Sequence, residues 1–90
     1  MPNAKAMMFG FREAGSYIDT GNVFKLDMKI DVVLVGDDST IHRITDLQVI
    51  VDPGGTMNAM ATAINNAIIA WGTSLGYTVT VSLLPSYAKL

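Results

Sequence analysis

Residues 24–35 read FKLDMKIDVVLV, and this stretch decides the fold. Phe24, Leu26, Met28, Ile30, Val32 and Leu34 alternate with Lys25, Asp27, Lys29, Asp31, Val33 and Val35. Successive side chains of a strand point to opposite faces, so the pattern predicts a strand with one face buried. The charges on the other face alternate in sign, so next-nearest neighbours there attract. Gly36-Asp37-Asp38-Ser39 follows as a turn, with residues that tolerate positive φ and hydrogen-bond their own backbone. A second strand is expected over residues 41–51, with Thr45, Leu47, Val49 and Val51 on one face. Together the two form a β-hairpin.

Downstream, Asp52-Pro53-Gly54-Gly55 ends the hairpin, because proline cannot donate to a ladder and paired glycines break it. Thr56 is placed to cap a helix. Met57, Met60, Ala61, Ile64, Ile68, Trp71 and Leu75 then recur at spacings of three and four, a helical stripe ending before Gly76. Tyr77–Leu84 alternates again and predicts a last strand, closed by Pro85. A right-handed crossover through the helix sets this strand parallel to the second hairpin strand and beside the first. The expectation is an α+β domain over residues 24–90. It has β-β-α-β order, a three- to four-stranded sheet and one helix on one face. Residues 1–23 read either as an extended N-terminal arm or as an edge strand around Ala6–Arg12. Met7, Met8, Phe9, Phe11 and Tyr17 are too apolar for a solvated tail.

Composition limits what such a domain does. Net charge is −2 and the pI is about 4.9. Nucleic acid is an unexpected partner, since it needs a basic stripe to replace its counterions. No apolar leader or membrane-length run is present, so a soluble protein without membrane contact is expected. There is no cysteine, hence no disulfide, and no Cys/His cluster for a structural metal. At 90 residues the core is small, and oligomerisation is the remaining support for such a fold. Between Pro53 and Ala88 no charged residue or histidine occurs, where average usage would supply about nine charges. Exposed faces normally carry charge, so an uncharged surface points to a partner. The surfaces in question are the helix face Asn58, Thr62, Asn65, Asn66, Ile69 and Thr73 and the strand face Thr78, Thr80 and Ser82.

Motifs for chemistry are sparse. A free N-terminal Pro2 is similar to the catalytic proline of the tautomerase family. Those chains start their first strand at the proline and follow it with a helix, whereas here a hairpin precedes the helix. The turn at residues 52–56 reads as a strand-to-helix connection, because the full phosphate-loop spacing and its lysine are absent. Asp37-Asp38 reads as a charged hairpin tip, and Asp27 and Asp31 as members of an ion-pair ladder with Lys25 and Lys29. His42 is the single histidine and lacks a recognisable catalytic neighbour. No catalytic, cofactor or metal residue is assigned, and no small-molecule substrate is expected. The expected function is a non-enzymatic, homo-oligomeric assembly protein. A small virion component, such as a phage capsid decoration protein, has these properties. The alternatives are a small enzyme or ligand-binding protein with an inter-subunit site built from Pro2, His42 or Gly54-Gly55, and an adaptor that binds another protein at a sheet edge.

Overall fold

The computed structural model describes residues 1–18, 20, 21 and 23–80. The chain forms β1 (Asn3–Ile18), β2 (Phe24–Gly36), β3 (Ile41–Val51), α1 (Met57–Ser74) and β4 (Thr78–Thr80). These strands make one mixed sheet in the order β3-β2-β1-β4, with α1 against one face. The alternation in β2 buries Met28, Ile30, Val32 and Leu34. Val49 and Val51 of β3 and Ile64 and Ile68 of α1 close over them.

Residues 1–23 form no extended arm. β1 starts at Asn3 and pairs antiparallel with β2 from Ala4 opposite Gly36 to Ile18 opposite Phe24. Its small Ala4 and Ala6 are buried, and Met8 and Phe11 pack against the core. Two bulges, at Phe9 and Ala14, interrupt the ladder. Each bulge inserts a residue and resets the alternation, so no single period of two runs through the segment.

The last strand runs parallel to β1, from Asn3 opposite Thr78 to Lys5 opposite Thr80. Because β1 and β3 both run antiparallel to β2, β4 also shares the direction of β3, as the crossover requires. Its neighbour differs from the expected one. β1 occupies the place beside β2 and moves β4 one strand outward. The expected extension of the last strand to Leu84, including Ser82, lies outside the described residues.

One further bulge corrects the expected face of β3. Ile30 faces Leu47 and Val32 faces Ile44, so Thr45 and Asp46 together span the position of Asp31. Ile44 packs on the core, and Thr45 is exposed. Asp46 takes the left-handed conformation at φ 66°. A short side chain that can hydrogen-bond locally is among the few that tolerate it.

The helix follows its sequence signals. Thr56 Oγ1 accepts from the Ala59 amide at 3.1 Å, and Gly76 ends the chain's turn at φ 91°. Leu75, expected in the buried stripe, is the C-terminal cap and is 39% exposed. Gly72 is buried against β4, where an added Cβ would overlap the Val79 side chain.

Candidate interaction surfaces

Among the described residues one helix lies on one side of the sheet and no element lies on the other. β2 contributes Lys25, Asp27, Lys29, Asp31, Val33 and Val35 to that face, since its alternate residues enter the core. The face divides into two chemically distinct halves. In the first, charges pair: Lys29 with Asp27 at 3.6 Å, Lys25 with Asp52 at 3.8 Å, and Arg12 with Asp31 at 3.1 Å. Arg12 also bonds Asp46 beside the β3 bulge. Only the Lys29–Asp27 pair stays within β2 as expected; the others join β1 and the residue after β3. Gly10 lies opposite Asp31, and an added Cβ would stand 2.8 Å from Asp31 Oδ2. The absent side chain leaves room for that carboxylate beside Arg12.

The second half sets exposed apolar side chains among two cations, Lys5 opposite Val35 and Arg43 opposite the buried Val33. Val35 lies opposite Lys5 on one side and Ile41 on the other, and Met7 lies opposite Val33. Ile41 is 57% exposed, Met7 50% and Val35 40%. Phe9, the bulged residue two positions beyond Met7, is 63% exposed. A hollow of about 450 Å³ adjoins these residues, lined by Asn3, Ala4, Lys5, Val35, Gly36, Asp37 and Thr80. Thr78 and Thr80 are exposed beside Asn3 and Lys5, so they belong to this surface.

The residues expected to make contacts therefore separate. Met7, Phe9, Thr78 and Thr80 are exposed on or beside the sheet, whereas Met8 and Phe11 are spent on the core. Thr62, Asn66, Ile69 and Thr73 are exposed on the helix, and Asn65 is half-buried with an Oδ1 that meets no donor among the described residues. The side chains of Tyr17 and Asn58, like Ser82, fall outside the described set. Sequence reasoning missed Ile41 and Val35 as exposed apolar residues. For Val35 the signal was present in the same alternation that defined β2, because it stands where the charged positions of the ladder would continue.

A polar cluster closes one end of the sheet. Tyr77, 5% exposed, donates its hydroxyl proton to Asp38 at 3.0 Å from Oδ2 and 3.2 Å from Oδ1. His42 Nε2 lies 3.3 Å from the same hydroxyl, with the two rings edge to face at 5.4 Å. The Thr40 amide and the Tyr77 hydroxyl hold the Asp38 carboxyl below the usual range. Burial, followed by the nearby Asp38, pushes the Tyr77 hydroxyl up.

Of the positions weighed for chemistry, His42 is at the start of β3 and Gly54-Gly55 stands apart from it, after the opposite end. Pro2 is exposed and its carbonyl accepts from the Thr78 amide. Asp37 accepts from the Asn3 amide, and Asp38 serves Thr40 and Tyr77, so both carboxylates hold backbone and ring in place. Among the described residues no group of three or more His, Asp or Glu side chains could hold a metal ion. No helix among them is long and apolar enough to cross a membrane. Comparison with protein families, with curated proteins and with solved structures found no match to this chain.

Proposed function

We propose that this chain is a non-enzymatic structural protein that works by packing against further copies of itself. The observation that carries the reading is the exposed apolar set Met7, Phe9, Val35 and Ile41 beside the sheet's uncovered face. Contiguous exposed apolar side chains on a small domain mark interaction surfaces, whereas isolated ones do not. The ion pairs across the rest of the face neutralise its charges in place, which lowers the penalty for covering them. A stable interface needs about 800 Å² from each partner. That is about one seventh of the chain's 5423 Å². Within this class, a small virion component that decorates or cements a capsid is the specific form we propose, since it is short, cysteine-free and needs no catalytic group. Replacing Met7 and Ile41 together by Lys tests the reading. Self-association should be lost while the far-ultraviolet circular dichroism spectrum is unchanged.

A further inference from the structure

The Asp38, Tyr77 and His42 side chains join three separate segments at one point: the turn after β2, the start of β3 and the residue before β4. The described ladder between β4 and β1 comprises three residue pairs. Tyr77 adds side-chain contacts to it. Its ring lies on Gly36, where an added Cβ would stand 2.7 Å from Cε1. Its amide donates to the Gly72 carbonyl, and the next amide, Thr78, donates to Pro2.

The direction of the hydrogen bonds follows from proton count. Asp38 as a carboxylate only accepts, and Tyr77 has one hydroxyl proton, which goes to Asp38. Toward His42 the tyrosine oxygen is then an acceptor, so Nε2 carries the donated hydrogen.

We propose that this His42→Tyr77→Asp38 chain is a clasp that holds β4 on the sheet, and that it closes only while Asp38 is ionised and Tyr77 is not. The groups facing Tyr77 are Asp37, Asp38 and Thr40 from the turn and His42 from β3. No lysine or arginine pairs with Asp38 among the described residues. The signs are opposite at the two limits. Asp38 is shifted down, so its contribution is complete above the ordinary carboxylate value and is lost as pH falls through its folded value. Tyr77 is shifted up, so its contribution is complete below the ordinary tyrosine value and is lost as pH rises through its folded value. On the alkaline side a phenolate would face Asp38 and Asp37, and like charges would part the turn from β4. The clasp does not depend on whether the chain self-associates.

The test is residue-resolved hydrogen exchange near neutral pH on wild type and Tyr77→Phe, with an NMR titration of the Tyr77 Cζ resonance to alkaline pH. Phenylalanine keeps the ring on Gly36 and removes only the hydroxyl. Exchange of the Thr78 amide should accelerate about tenfold in Tyr77→Phe, with the β2–β3 amides unchanged. In wild type, Thr78 amide and methyl shifts should move together with the Cζ titration, and Tyr77→Phe should abolish that transition. Unchanged Thr78 exchange in Tyr77→Phe would overturn the clasp. So would equal acceleration throughout the sheet, or a Cζ titration that leaves Thr78 unmoved. His42→Gln, which keeps a donor, should retain most of the Thr78 protection.

Discussion

At the residue scale, the turn between β2 and β3 uses Asp38 as its residue type predicts, accepting from the Thr40 amide, and uses Gly36 differently. Gly36-Asp37-Asp38-Ser39 predicts a turn tolerant of positive φ. The left-handed residue is Ser39, at φ 68°, and not Gly36. Gly36 is needed instead because the Tyr77 ring occupies the space a side chain would take. That requirement comes from a residue far along the chain, and no local pattern announces it. Ser39 bears a conformational cost that glycine would not, so Ser39→Gly should stabilise the fold by about 0.5–1 kcal/mol in urea unfolding. Destabilisation would mean that the Ser39 side chain makes a contact of greater worth. His42, for which the sequence shows no catalytic neighbour, has a partner in the fold. It is half-buried and faces Tyr77, again through a pairing that only the crossover creates.

At the element scale, regular periodicity was legible and interrupted periodicity was not. β2 and α1 appear close to their expected bounds because each carries an unbroken period of two or 3.6, and β3 because turn residues mark both its ends. β1 was missed as a central strand because its bulges divide the alternation into short pieces. The same cause misplaced Thr45. The helix stripe was read correctly at its centre, where Ile64 and Ile68 are 2% and 0% exposed. Ile68→Ala should therefore cost about 2–5 kcal/mol, measured by chemical denaturation. Gly72 makes a sharper test. In an isolated helix Gly72→Ala would gain about 1 kcal/mol from propensity. Here the new methyl group meets Val79, and overpacking of about 1–3 kcal/mol should outweigh that gain. A more stable Gly72→Ala protein would show that α1 and β4 are less closely packed than described.

For the whole molecule, the uncharged second half of the chain proves to serve two purposes. Ile64, Ile68, Tyr77 and Val79 build or line the core and need no partner. The exposed Thr62, Asn66, Ile69 and Thr73 form one outer surface, on the helix. The sheet's open face forms another, and its apolar residues come from β1, β2 and β3, within the charged half of the sequence. Charge depletion thus marked the helix face but did not locate the sheet face with its exposed apolar residues. Finding that surface required strand pairing, which brings Met7, Val35 and Ile41 together from three segments. The most direct test of the account is sedimentation velocity across a dilution series at micromolar concentration. Wild type should sediment as a multimer that dissociates on dilution, and the Met7→Lys/Ile41→Lys protein as a folded monomer throughout. A wild-type monomer at every concentration, or a multimer indifferent to the two lysines, would contradict it.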